Sequence, residues 1–315
     1  MARWLRRIAA ALAVAAAAFA LWLGFVWPPP SWWRSHWPAQ TAFMAMRARQ
    51  QRATARDGGR LYEPVPLDSM SRWLPKAATA GEDEAFYTHH GVDYHALREA
   101  LGYRRTAFSW NSHADRAELW RALGHAWGHR DRLRGASTIT QQLAKNLYLS
   151  PSRNPLRKLK EAAIAYRLEW ALDKDRIMAL YLNVAELGPG LWGVEAASER
   201  YFGRSAARLS VDQAAMLIAT LPHPLTSNPS YRPGRTRWRQ QLIMLKLGGA
   251  PVVIPQEETE DTIPAPPPSL DTIPGADTLR LDTLPPDDSA AAPVIPPDAA
   301  AVPPTKAPPG APRPR

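Results

Sequence analysis

Three groups of polar residues carry side chains suited to chemistry. The first lies between Gly135 and Leu149, where Thr138 is followed by Gln141 in a capping-box pattern and Gly135 permits a turn upstream. At about 100° per residue, Ile139, Leu143 and Leu147 share one helix face, and Thr138, Gln142 and Lys145 line another. A hydroxyl, an amide and one ammonium near a positive helix N-terminus suit an anionic, sugar-like ligand. A well-capped amphipathic helix is the plainer alternative. The second group is Glu82-Asp83, set before a Gly-containing turn at Gly91. Adjacent carboxylates cannot share one face, so one can project into a site while the other anchors the loop. A solvated acidic turn competes with that reading. The third is Arg157 and Glu161, four apart on a face that continues into Ile164 and Leu168. Arg before Glu is the weaker orientation for helix stability, although a structural ion pair stays open.

The elements that must hold these groups are helical. Apolar spacing and Gly/Pro punctuation predict helices over Pro75 to Asp83, Tyr94 to Arg104, Thr138 to Leu149, Pro155 to Leu172 and Lys174 to Leu182. Further helices follow over Val194 to Phe202, Val211 to Thr220 and Arg235 to Leu247, with others expected at Gln40 to Arg52 and Arg116 to Trp127. The class is all-α. The glycines between Tyr181 and Gly203 read as a tight loop between helices, mainly scaffold.

The chain of 315 residues divides by composition. Residues 1–27 hold Arg3, Arg6 and Arg7 and then an uncharged apolar run from Ile8 to Trp27, enough to span a bilayer at about 1.5 Å per residue. Basic residues before it and Trp22, Trp27, Trp32, Trp33 and Trp37 around its far end predict an anchor with its N-terminus inside. Ala18-Phe19-Ala20 resembles a signal cleavage site, but the run continues past it, which favours an anchor. Residues 28–60 read as a juxtamembrane connector and 61–249 as the globular domain. Residues 250–315 are Pro-rich, repeat Asp-Thr-Ile-Pro at 261–264 and 271–274, and read as a disordered tail. No cysteine is present, which excludes disulfides and thiolate chemistry. The net charge of +10 hides ten acidic and four basic side chains in 251–315, so residues 1–250 carry +16. That surplus points to anionic lipid or a phosphorylated lipid substrate, and an anchored domain disfavours nucleic acid.

Taken in order, these pieces resemble the family 51 glycosyltransferases, the peptidoglycan polymerases. The family's Glu-Asp-x-x-Phe-x-x-His-x-Gly-x-Asp is met by Glu82, Asp83, Phe86, His89, Gly91 and Asp93. Its Gly-x-Ser-Thr-x-Thr-Gln-Gln-x-x-Lys-Asn is met by Gly135, Ser137, Thr138, Thr140, Gln141, Gln142, Lys145 and Asn146. Arg157, Lys158 and Glu161 meet Arg-Lys-x-x-Glu, the Tyr-Leu-Asn to Tyr-Phe-Gly segment runs from Tyr181 to Gly203, and Leu221 to Pro229 resembles the closing motif. Two departures stand out. Gly135-Ala136 replaces the usual Gly-Gly, and the stretch between Glu99 and Gly135 is longer than is common, where relatives have a mobile, membrane-facing region.

The resemblance implies a lysozyme-like helical domain, of the monofunctional branch, that polymerises lipid II into β-1,4-linked strands. It implies inversion at the donor anomeric carbon and release of undecaprenyl pyrophosphate, on the periplasmic side of the inner membrane. Glu82 is then the base for the acceptor hydroxyl, and Glu161 positions the cations, assists the leaving group or helps hold a divalent ion. Lys145, Arg157 and Lys158 meet the pyrophosphate, Asp83 orients the Glu82 loop, and Ser137, Thr138 and Gln142 bind phosphate or sugar. Phe86, His89 and Asn146 complete the implied substrate-binding set. No organic cofactor is implied, and a divalent cation, Mg or Mn, is left open. So are other wall-synthesis proteins as partners. A helical muramidase that cleaves glycan and a non-catalytic wall-synthesis scaffold are the alternatives.

Overall fold

A computed structural model describes residues 2–24, 26–53, 59–105, 108–128, 137–149 and 156–255. Gly135, Ala136, Pro155 and most of the Pro-rich segment lie outside the described residues. Among those described, eleven α-helices and three short strands form the structure, as the helical patterning requires.

The core forms around α3 (Trp73–Glu82), α6 (Ile139–Tyr148), α8 (Lys174–Val184) and α10 (Val211–Thr220). In α3 the buried positions Leu74, Ala77, Ala78 and Gly81 recur at helical spacing. A Cβ on Gly81 would lie 3.1 Å from both Ile218 Cγ2 and Ile243 Cδ1, so glycine lets α3 settle against α10 and α11 (Gly234–Leu247). Every residue of α8 from Ile177 to Val184 is buried, which makes it the central rod of the domain. α6 and α7 (Leu156–Ala171) pack side by side, with Ile139, Leu143, Ile164 and Leu168 fully buried between neighbours.

Two segments differ from the sequence expectation. α4 (Tyr94–Ala100) ends four residues short of Arg104, because Gly102 adopts a left-handed φ of +66° and its N–H turns back to Glu99 O. The expected loop after α8 is a hairpin of β2 (Glu186–Gly188) and β3 (Leu191–Trp192), with β1 (Leu61–Tyr62) pairing parallel to β3. Strands this short carry little periodicity. Asn183 pins the approach to β1, accepting from Val65 N at 2.9 Å and donating to Val65 O at 2.8 Å. Gly193, at φ +81°, opens α9 (Val194–Phe202), and a Cβ there would sit 2.6 Å from Asn183 O.

α1 (Ala2–Gly24) is the one helix among the described residues long and apolar enough to cross a membrane, over Arg6–Gly24. Its last turn is tied to α7: Lys160 Nζ sits 4.3 Å over the Trp22 ring, and Arg167 donates to Leu23 O. The stretch after it packs closely on the domain. Trp33 Nε1 donates to Tyr148 Oη at 2.6 Å, and that hydroxyl donates to Pro28 O at 2.8 Å. α2 (Ala42–Ala53) buries Phe43 and Met44 and places Arg47 on Glu186 at 2.7 Å, both side chains almost fully enclosed. Such a pair adds little net stability but is costly to break on one side. Arg47→Ala should lose about 3–5 kcal/mol, lowering the thermal midpoint by roughly 10 °C. The double variant Arg47→Met/Glu186→Leu should lose much less, and thermal unfolding in detergent reads both.

Candidate active site

Glu82 ends α3 and is buried. A carboxylate at a helix C-terminus faces the negative end of the dipole, where stability favours a cation. The structure supplies compensation from two other helices. Arg239 Nη2 donates to Glu82 Oε1 at 2.9 Å, and Gln142 Nε2 donates to Oε2 at 3.1 Å. Gln142 is oriented in turn by Tyr181, whose hydroxyl donates to its Oε1 at 3.0 Å. Burial, and then the nearby Glu82 carboxylate, push the Tyr181 hydroxyl well above the usual tyrosine range, so it stays a donor.

The neighbouring Asp83 does a different task. Its carboxylate accepts from the Ile139 N–H at 2.9 Å, at the N-terminus of α6, and from His89 Nε2 at 2.9 Å. Phe86 lies fully buried in the same turn, edge-on to His89. Gly91, at φ +88°, brings its carbonyl to the Thr138 hydroxyl at 2.6 Å. Thr138 also accepts from Gln141 N at 3.1 Å, and Gln141 Oε1 accepts from Thr138 N, closing the capping box. The Thr138 hydroxyl is therefore spent on holding α6.

A second cluster lies at the start of α7. Glu161 is 2% exposed, and its two oxygens accept from Arg157 Nη1 at 2.5 Å and Lys158 Nζ at 2.9 Å. Lys158 Nζ also donates to Ser137 Oγ at 2.5 Å. Ser137 lines the same cavity as Glu82, a space of about 360 Å³ whose other walls include Asp83, Asp93, Glu99 and Lys246. Hydrogen bonds thus run from the cavity wall to Glu161. Lys145 Nζ lies 5.8 Å over the Phe43 ring. Asn146 is buried, and its Oδ1 has no hydrogen-bond partner among the described residues.

Arg239 is the residue sequence reasoning missed. It is 2% exposed, and besides Glu82 it donates to Gly81 O at 3.0 Å. The available signal was its place in the buried stripe Thr236, Arg239, Gln240 and Ile243 on α11, since a charge inside such a stripe needs a buried partner. The closing motif acts locally: Asn228 Nδ2 donates to Pro224 O at 3.0 Å and ties the loop before α11.

The described residues thus form a helical domain with one buried carboxylate at a cavity wall and a second carboxylate that grips two cations, one of them bonded to Ser137 on that wall. The family model described as Transglycosylase matches residues 105–248, a span that includes Glu161 and Arg239 but begins after Glu82. A biosynthetic peptidoglycan transglycosylase of Bordetella pertussis is 42% identical over 193 residues, covering 61% of this chain and 72% of that protein. Similar proteins of the same description occur in Azoarcus sp., 37% identical over 231 residues (73% and 89% covered), and in Thiobacillus denitrificans, 36% over 254 residues (81% and 98%). The chain belongs to the biosynthetic peptidoglycan transglycosylases, glycosyltransferases of peptidoglycan synthesis with a lysozyme-like helical fold.

Two substitutions separate positioning from binding. Thr138→Ala should cost about 1 kcal/mol of stability through the lost cap and leave KM nearly unchanged. Arg239→Gln should lower kcat by roughly 10²-fold with a smaller effect on KM, because it frees one edge of Glu82. Thermal unfolding and steady-state kinetics measure each.

Proposed function

We propose that the chain polymerises lipid II, joining the growing lipid-linked strand to it through a β-1,4 bond with inversion at the donor anomeric carbon. The observation that carries this reading is Glu82, held against its own helix dipole by Arg239 and Gln142 at the wall of a cavity. In this mechanism Glu82 removes the proton of the acceptor 4-hydroxyl as that oxygen bonds to the anomeric carbon. The bond from that carbon to pyrophosphate breaks, and the electron pair leaves with undecaprenyl pyrophosphate. General-base help of this kind contributes roughly 10²–10⁴-fold.

The leaving group gathers charge, and Arg157 and Lys158 are the cations held ready for it. Glu161 keeps both in place and takes part through them. Lys145 and Asn146, one turn further along α6, extend the reading to the rest of the lipid-linked substrate. Both Glu161 oxygens are already engaged by cations, and no three His, Asp or Glu side chains gather to hold a metal among the described residues. This donor set fits direct binding of pyrophosphate by side chains better than a divalent ion. Arg3, Arg6 and Arg7 before α1 and the tryptophans after it support a single membrane pass with the catalytic domain on the periplasmic face.

Purified protein given lipid II should elongate glycan strands. Glu82→Gln and Glu161→Gln should each reduce elongation by at least about 10²-fold, and Arg157→Ala should do so by roughly 10²–10³-fold. Gel separation of labelled strands reads all three. Wild-type protein that only shortens preformed glycan would overturn the reading in favour of a muramidase.

A further inference from the structure

The C-terminal end of α7 borders a cavity that none of the chemistry above uses. It measures about 500 Å³ and is lined by Arg34, Trp170, Ala171, Leu172, Asp173 and Arg176. Trp170 is nine residues beyond Glu161 on the same helix, about 13 Å along its axis, so this space is separate from the Glu161 cluster.

Two guanidinium groups are fixed at this cavity by one edge each. Arg34 Nε donates to Ala171 O at 2.6 Å, while Arg176 donates from Nε to Trp33 O at 2.6 Å and from Nη2 to His36 O at 2.8 Å. Arg176 also stacks 3.9 Å from the Trp37 ring centroid. Nη1 and Nη2 of Arg34 and Nη1 of Arg176 have no hydrogen-bond partner among the described residues. Preorganised, partly bonded guanidiniums suit a phosphate, whose oxygens match their planar donors. Asp173 opposes an anion here, although one of its oxygens is engaged in capping α8 at Arg176 N, 2.7 Å away.

Position argues for the kind of phosphate. The last turn of α1 is docked on α7 at Lys160 and at Arg167, the second about one turn before Trp170. Around that end stand three exposed indoles, Trp170 at 90%, Trp27 at 78% and Trp32 at 45%. Indoles left in this arrangement fit the headgroup level of a bilayer and gain nothing from a free anion in water. We propose that this cavity binds the phosphodiester headgroup of an anionic phospholipid, with Arg34 and Arg176 on the phosphate and Trp170 beside the acyl chains. Bound there, the lipid fixes the height and tilt of α7, and with it the Glu161 end. The inference rests on α1 lying in the membrane, which flotation of the full chain with liposomes reads independently.

The binding test uses full-length protein in neutral detergent, titrated with short-chain phosphatidylglycerol, short-chain phosphatidylcholine or inorganic phosphate and read by native mass spectrometry. Phosphatidylglycerol should bind saturably and at least tenfold tighter than either alternative. Arg34→Gln, at an exposed position, should weaken it roughly fivefold. Asp173→Asn keeps a capping side chain and should tighten it. Trp170→Ala should weaken lipid binding only, and the distant exposed Arg208→Gln should change nothing. Equal binding of the two lipids, an Arg34→Gln variant that matches wild type or Arg208→Gln, or phosphate competing as strongly as lipid would each overturn the proposal.

Discussion

The carboxylate of Asp83 is the joint on which this architecture turns. It takes the Ile139 N–H at the start of α6 and His89 at the far side of the turn that follows α3. A helix N-terminus leaves donors unsatisfied and carries partial positive charge, so a buried carboxylate is strongly favoured there. That one contact fixes where α3 stops relative to where α6 starts. The Thr138 capping box and its bond to Gly91 lock the same junction from the other side. Once the junction is set, Glu82 is held one residue away with no freedom to turn into solvent, and Gln142 is carried along α6 to meet it.

Glu82 sits where local stability would not put it. The α3 C-terminus disfavours a negative charge, and burial disfavours it further. The fold offsets this with Arg239, a cation brought from α11 near the end of the described chain, and with a donor amide oriented by Tyr181. Glu161 is handled in the reverse sense, as one buried carboxylate that holds two cations, Arg157 and Lys158. In both arrangements orientation and charge are set by contacts within the fold itself.

α7 links two environments. Its early turns carry Arg157, Lys158 and Glu161, and it meets the end of α1 at Lys160, next to Glu161, and again at Arg167. Both sets of contacts lie on one helix of 16 residues, so a single element joins the Glu161 cluster to the end of the apolar helix. The Trp33–Tyr148–Pro28 chain makes the same connection to α6.

Local pattern determined much of this protein. Periodicity marked the helices, the Thr138/Gln141 spacing announced a capping box, and the apolar run from Ile8 marked α1, because each depends on residues within a few turns of one another. The pattern also grouped Glu82 with Asp83 and Arg157 with Glu161, and set Thr138 and Gln142 on one polar face. It did not distinguish their tasks. Thr138 turns inward to hold the chain while Gln142 reaches Glu82, a difference set by what packs opposite each. The β2–β3 hairpin, the enclosure of Arg47 by Glu186 and the meeting of Arg239 with Glu82 join residues far apart in sequence. Buried charges are tolerated only where the whole fold supplies a partner, so no local window carries that information.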